Sequence, residues 1–408
     1  MSRLLAIFAL TSLALASAVR AQEPPPPEPA TPAAPQVAPA PAAPAAPEAG
    51  TWYFALSGDS RDCGNLIMPK IAAAIEANRQ TAPVELYWHL GDFRRMYDID
   101  CDVLMRTHPG YDCVRRPAQP LGQFEMGEYL DRAWSNFLDE QIDPFGALPV
   151  YLGIGNHELY ASKTRTDFQK TFQKWLNQKA IHQQRMDDNK RKVADKKTGF
   201  RSTDGTPYYH FILHGVDFIY LDNADETSFS ADQLLWLQNV LAADAFDPQV
   251  KTLVVAMHEA LPGSLSSGHA MDATCQGVCS GWQVYDLLFR AQQQKHVYVF
   301  ASHSHLFEDK IFDTAEHAGQ VLPGWIVGTA GAEQYLLHEG DPVRYGYAEV
   351  AVHADGTLDV AFRDVGRDSP PAPVWQGGES LTDFCFTNNK RVVSNNAPNL
   401  TCACGAVK

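Results

Sequence analysis

The segment PVYLGIGNHE, Pro149 to Glu158, sets a short apolar run directly before residues of quite different chemistry. Residues 149–153 read as a buried strand. Just past it, Gly155-Asn156-His157-Glu158 offers an amide oxygen, an imidazole and a carboxylate in succession. The same order, apolar run first and metal-binding side chain next, recurs elsewhere. Gly58-Asp59 follows 52–56, Gly91-Asp92 follows 83–90, His258 follows 250–257, and Ser302-His303-Ser304-His305 follows 296–301. Each alone is weak, because Asp and Asn also serve turns and caps. His258, after a run of Val and Met, also suits a buried structural role.

Between these segments the pattern alternates. Residues 65–79 carry Ile67, Ile71, Ala74 and Ile75 on one helical face, and 123–138 reads as a second helix. Residues 208–213 and 216–221 form a hairpin around His214-Gly215. Ser230 caps a helix over 230–243 with Leu234, Leu237 and Leu241 at helical spacing, and 283–293 is helical before the strand at 296–301. Strands near 324–327, 345–352 and 358–362 come last. Strands alternating with helices, then consecutive strands, predict a layered α/β fold with mixed sheets. The candidate ligands fall just past strand ends, where such folds build their sites.

Not all of the 408 residues belong to that fold. Arg3, the apolar run 4–18 and Val19-Arg20-Ala21 read as a signal peptide cleaved after Ala21. Residues 22–49, almost entirely Pro, Ala and Glu, read as a semi-rigid linker, with cell-envelope contact as the sharper alternative. Residues 50–368 form the domain and 369–408 a cysteine-containing tail pinned by disulfide. No later segment is apolar and long enough for a transmembrane anchor. The expected location is therefore periplasmic or secreted. A formal charge of −15 makes nucleic acid a poor partner, and the basic run 190–197 reads as a solvated loop. The 8 cysteines suit an exported, disulfide-bonded chain. Cys101–Cys113 and Cys275–Cys279 are the local pairs, leaving Cys385, Cys402 and Cys404 to share a partner such as Cys63. A structural zinc on Cys275, Cys279, Cys402 and Cys404 is the competing arrangement.

Carboxylates and neutral imidazoles suit iron, manganese or zinc better than calcium. Two such cations about 3.5–4 Å apart lower the pKa of a water between them and clamp a phosphoryl group. In sequence order, Gly-Asp, Gly-Asp, Gly-Asn-His-Glu, lone His and His-x-His resemble the calcineurin-like metallophosphoesterase superfamily, which includes purple acid phosphatases. Gly328-Thr329-Ala330-Gly331-Ala332 adds to the likeness. The resemblance spans about 52–362 and implies a β-sandwich flanked by helices. It implies that Asp59, Asp92 and His305 hold one metal, and that Asp92, Asn156, His258 and His303 hold the other. His157 would sit over the substrate oxygen or leaving group, with Glu158 orienting it from behind.

The chain departs from that pattern at Arg61, where many members have a histidine two residues after the first aspartate. Purple acid phosphatases instead use a tyrosine three residues after the second. That position here is Arg95, and the nearest tyrosine is Tyr97. The first metal is left with three ligands unless Tyr97 or water completes it. Arg61, Arg94 and Arg95 are surface or salt-bridging residues in the plain reading and phosphate contacts in the sharper one. His89 reads as structural, and His210 and His269 as residues that could line the cleft. The stretch 262–281 is either a lid or a disulfide-pinned loop. The expectation is an exported two-metal phosphoesterase acting on a small phosphate ester, a phosphomonoesterase first. A phosphodiesterase or nucleotide pyrophosphatase comes second, and a non-catalytic envelope binding protein third.

Overall fold

In chain order the strands are β1 (Trp52–Ser57), β2 (Val84–His89), β3 (Val150–Leu152), β4 (Tyr209–Leu213), β5 (Val216–Leu221), β6 (Thr252–Met257), β7 (His296–Ala301), β8 (Phe307–Asp309), β9 (Gly324–Val327), β10 (Gln334–Leu336), β11 (Gly346–Val352), β12 (Leu358–Asp364) and β13 (Lys390–Val392). The computed structural model describes residues 50–108, 110–114, 123–194, 206–225, 227–371, 378–394 and 402–404. The expected signal peptide and Pro/Ala linker lie outside these residues, as do 195–197 of the basic run. One sheet runs β12-β11-β1-β2-β3 and a second β4-β5-β6-β7-β9-β8, while β10 pairs with β13. Both large sheets are mixed: β1, β2 and β3 are parallel while β11 and β12 are antiparallel, and β5, β6, β7 and β9 are parallel between antiparallel edges. The layered α/β expectation holds.

The second sheet is buried on both faces, which is why its strands read as continuous apolar runs rather than as alternation. In β5, Val216, Phe218 and Tyr220 belong to the core between the sheets, whereas Ile219 and Leu221 belong to the core under the helices. Phe54 of β1 meets Phe218 at 5.0 Å between ring centroids, and Trp88 of β2 meets it at 5.6 Å. Burying one such phenylalanine contributes about 2–3 kcal/mol. The helices are α1 (Gly64–Ala77), α2 (Cys101–Thr107), α3 (Gln123–Phe137), α4 (Arg165–Thr171), α5 (Gln173–Leu176), α6 (Lys179–Ala194), α7 (Ala231–Phe246), α8 (Cys275–Ala291) and α9 (Gly378–Asp383). Ser230 caps α7 as expected, its hydroxyl accepting from the Gln233 amide at 3.2 Å.

Three expectations need correction. Cys101 does bond Cys113, and Cys63 does reach the C-terminal group at Cys385, but Cys275 bonds Cys402 and Cys279 bonds Cys404. The reason is local. Cys275 and Cys279 lie one turn apart on α8, and side chains so placed run in parallel with Cβ atoms about 5–6 Å apart. A disulfide needs about 3.5–4.5 Å. The four sulfurs proposed for zinc are brought together, but as two disulfides they offer no thiolate. Second, of the two readings of 262–281 the disulfide-pinned one holds, through Cys275 and Cys279, but the stretch is not all loop. Its last part is the start of α8, and the rest is tied down by Leu265 N to the Ile311 carbonyl at 2.8 Å and Ser304 Oγ to the Ser266 carbonyl at 2.6 Å. Third, the first part of the basic run belongs to α6 rather than a loop.

His210 does not line the cleft either. It is buried between α6 and the hairpin, with Nδ1 2.7 Å from Asp217 and Nε2 2.9 Å from Asp188. Burial favours the neutral ring, but the two carboxylates outweigh it and raise the pKa to about 10. Against an unfolded value near 6.5, this contribution is complete below pH about 6.5 and disappears as pH rises through about 10. Urea denaturation should therefore show the wild type losing several kcal/mol between pH about 6 and 10 that His210→Gln does not lose. Parallel pH curves for the two would refute the charged triad.

Candidate metal centre

Each candidate ligand leaves the end of a strand. Asp59 follows β1, Asp92 follows β2, Asn156 follows β3, His258 follows β6, and His303 and His305 follow β7. Backbone bonds carry the sheet register into these loops: Asp59 N donates to the Gly91 carbonyl at 3.0 Å, Ser60 N to Asp92 at 3.0 Å, and Ser302 N to His258 at 2.9 Å. The Gly328–Ala332 stretch adds Ala330 N to the Gly58 carbonyl at 3.0 Å and Ala332 N to Asp59 at 2.8 Å. Asp59, Asp92 and His303 all take left-handed backbone conformations, with φ of 61°, 60° and 65°. Such strain in non-glycine residues costs about 1–3 kcal/mol each and is concentrated at functional sites. Gly155 is required for another reason: an added Cβ would overlap Asp92 Oδ1 and approach His258.

One set of donors converges on a point. Asp92 Oδ1, Asn156 Oδ1 and His303 Nδ1 lie 3.2, 3.0 and 3.1 Å from His258 Nε2. Donors bound to one cation at about 2.0–2.2 Å stand roughly 3.0–3.4 Å from each other, so the spacing fits a metal. The protonation pattern fits as well. His258 Nδ1 carries a hydrogen toward the Leu90 carbonyl at 3.0 Å, so Nε2 is the nitrogen that would give its lone pair to a cation in place of a second proton. Burial pushes His258 down, yet the Asp92 carboxylate outweighs it and lifts the ring to about 10. Against burial, the His157 and His258 rings and the Arg61 guanidinium hold Asp92 well below the usual carboxylate range. The pocket's electrostatics therefore favour positive charge. Asp92 Oδ2, buried, accepts no hydrogen bond.

The other expected ion finds a different setting. Asp59 Oδ1 and His305 Nε2 are 3.5 Å apart, and His305 Nδ1 donates to the Glu333 carbonyl at 2.8 Å, so a lone pair faces inward here too. Asp59 Oδ2, however, is taken by Ser302 Oγ and by the His303 amide at 2.8 Å. The guanidinium of Arg61 enters the remaining space. Its Nη2 stands 2.6 Å from His305 Nε2, its Nη1 hydrogen-bonds His157 Nε2, and Nη1 lies 4.0 Å from Asp92 Oδ2.

His157 and Glu158 sit beside the cluster, and the contacts of Glu158 differ from expectation. His157 Nδ1 donates to the Arg95 carbonyl at 2.6 Å, so Nε2 is the acceptor facing Arg61. Burial, reinforced by the Arg61 charge, lowers the ring to about 3, so it is neutral at physiological pH. Glu158 does not orient it. Its carboxylate accepts the amides of Asp92 and Gly155 at 2.8 Å and Phe93 at 2.9 Å, binding two ligand loops to each other. A buried carboxylate is worth placing only where several donors converge. Burial and the nearby Asp92 charge nonetheless push it up to about 8.

The remaining candidates divide clearly. Arg94 is fully buried on Asp100 and Asp102, and Arg95 pairs with Asp62 at 3.0 Å. Tyr97 is 54 % exposed and accepts from Arg95 Nε at 3.1 Å, so it joins no ligand group. Its ring stands 5.2 Å from His157 and 5.7 Å from Tyr160, forming an aromatic rim. His89 is structural, holding Ser60 Oγ at 2.9 Å. His269 does reach the site, with Nδ1 3.4 Å from His303 Nε2. Ser302, quoted in the sequence only as a neighbour of His303, proves to be a partner of Asp59. A serine preceding a ligand histidine carries no signal of that in sequence.

Two packed mixed sheets with metal-type donors collected at one end of their parallel strands define a layered α/β metallohydrolase scaffold. The chain belongs to the calcineurin-like phosphoesterase family, whose model matches residues 68–307; members are metal-dependent phosphoester hydrolases. Asp59 and Arg61 fall outside the matched residues. No curated protein matches the sequence. Among solved structures, purple acid phosphatase from yellow lupin (Lupinus luteus) seeds is similar at 13 % identity over 81 % of this chain and 54 % of that one, with a TM-score of 0.48. PhoD is similar at 14 % identity over 83 % and 74 %, TM-score 0.42. The 5'-nucleotidase of Candida albicans SC5314 is similar at 13 % identity over 83 % and 55 %, TM-score 0.35. The chain spans about half the length of the lupin protein.

Proposed function

We propose that this chain is an exported phosphomonoesterase working at the Asp92, Asn156, His258 and His303 centre. The observation that carries the reading is the convergence of three donors within 3.2 Å of His258 Nε2. A cation bound there would lower the pKa of a water and neutralise charge on a phosphoryl oxygen. The chain's own groups supply the rest. Asp92 and Asn156 fix the donor geometry through the Glu158-bound loops, and Arg61 presents guanidinium N–H groups suited to phosphate oxygens. His157, anchored by the Arg95 carbonyl, keeps its second nitrogen beside the guanidinium. Arg61 and a cation together provide the positive charge that suits a monoester dianion better than a singly charged diester. Of the two ions that the sequence implies, this reading requires only the one at the Asp92 cluster.

Export is supported by the leader-like start of the sequence and by four disulfides. No helix among the described residues is long and apolar enough to cross a membrane. The test is hydrolysis of an aryl phosphate monoester and the matching diester by the full chain, with manganese, iron or zinc supplied. Faster monoester turnover is expected. Faster diester turnover would favour the phosphodiesterase or pyrophosphatase reading, and none of either would favour a binding protein.

A further inference from the structure

We propose that the centre holds a single metal ion, and that the Arg61 guanidinium permanently takes the place of the second. The proposal rests on the metal reading of the Asp92 cluster and concerns the neighbouring position. There the donors do not fit an ion. A cation on His305 Nε2 would sit about 2.0–2.1 Å from that nitrogen. Arg61 Nη2 is already 2.6 Å from it, so ion and guanidinium nitrogen would compete for the same lone pair and repel one another. Asp59 Oδ1, which has no hydrogen bond, faces His305 Nε2 at 3.5 Å, and its charge together with that of Asp92 stabilises the guanidinium there.

Arg61 is not a surface side chain that happens to fold inward. Its side chain is only 10 % exposed. Its backbone is fixed by the Cys63 amide, which donates to the Arg61 carbonyl at 2.8 Å, and the residues on either side of the turn, Asp59 and Asp62, have φ of 61° and 65°. Two positions on, Cys63 is bonded to Cys385 and is itself fully buried. The turn that carries the arginine is thus anchored by strain, hydrogen bond and disulfide. Both terminal nitrogens are chemically matched: each donates to an imidazole lone pair whose opposite ring nitrogen is already bound to a backbone carbonyl. A guanidinium stays charged at every physiological pH and offers planar donors to a phosphate, so it can supply fixed positive charge beside one ion.

The test uses the full chain, stripped with chelator and titrated with Mn(II) alone, read by elemental analysis and electron paramagnetic resonance. One ion per chain with the spectrum of isolated Mn(II) is expected. Arg61→His replaces the guanidinium with a further imidazole and should double the content to two ions with a spin-coupled spectrum. Two coupled ions in the wild type overturn the proposal while leaving metal-dependent hydrolysis standing. One ion in both proteins also overturns it, since Arg61 would then not be what excludes the second. No ion in the wild type removes both the proposal and the function it rests on. Should Arg61→His fail to fold, the wild-type content and spectrum still decide between one ion and two.

Discussion

His258→Ala is expected to lower kcat/KM for an aryl phosphate by about a thousandfold, equivalent to ~4 kcal/mol of transition-state stabilisation. The ring is the hub of the site: three other donors lie within 3.2 Å of its Nε2. Removing it takes away one donor and the group that offsets the buried Asp92 charge. It also frees the Leu90 carbonyl that fixed the tautomer. Mn(II) affinity should fall in parallel, since both losses have one origin. The comparison is steady-state kinetics and metal titration on wild type and variant, with thermal unfolding to establish that both are folded. Turnover within tenfold of wild type would place the chemistry elsewhere in the molecule.

The largest expected loss of stability belongs to Arg94→Met. Arg94 is fully buried and is the shared cation for two buried carboxylates, Asp102 at 3.1 Å and Asp100 at 3.4 Å. Asp100 is further held by the Tyr129 hydroxyl at 2.7 Å and the Asp62 amide at 2.8 Å, so neither acid can turn toward solvent. Removing one partner of a buried pair costs about 3–5 kcal/mol, because charge is left uncompensated. Burial already pushes Asp102 up to about 7 against the pull of Arg94. Without the guanidinium both acids take up protons more readily, so the deficit should shrink as pH falls from 9 toward 7, where Asp102 takes up its proton even beside Arg94. Denaturant midpoints at the two pH values measure this directly. A deficit below about 1 kcal/mol at pH 9 would mean that the pair contributes nothing beyond a surface bridge.

The parts of this fold visible in sequence are those set by local patterns. An apolar run followed by a donor located all six candidate ligands at strand ends, and the hairpin at His214-Gly215 and the cap at Ser230 followed from turn and cap chemistry. Where glycine served packing rather than freedom, the pattern misled. Gly277 and Gly281 made the start of α8 read as a loop, yet an added Cβ at Gly281 would overlap Pro262 and one at Gly277 would lie 3.0 Å from the Thr227 carbonyl. The wrong cysteine pairing followed from that error. The place of Glu158 is not legible because two of its three partners, the amides of Asp92 and Phe93, lie over 60 positions away and carry no side-chain signature. Arg61 and Arg94 are indistinguishable as letters. Only the packing separates an arginine held by imidazoles from one held by aspartates.

The most direct measurement is turnover of an aryl phosphate monoester by the full chain before chelation, after chelation and after Mn(II) is restored. Activity is expected to disappear with the metal and to return on reloading, while His258→Ala stays inactive throughout. Undiminished turnover in the chelated protein, at a metal content near zero, would contradict a metal-dependent hydrolase.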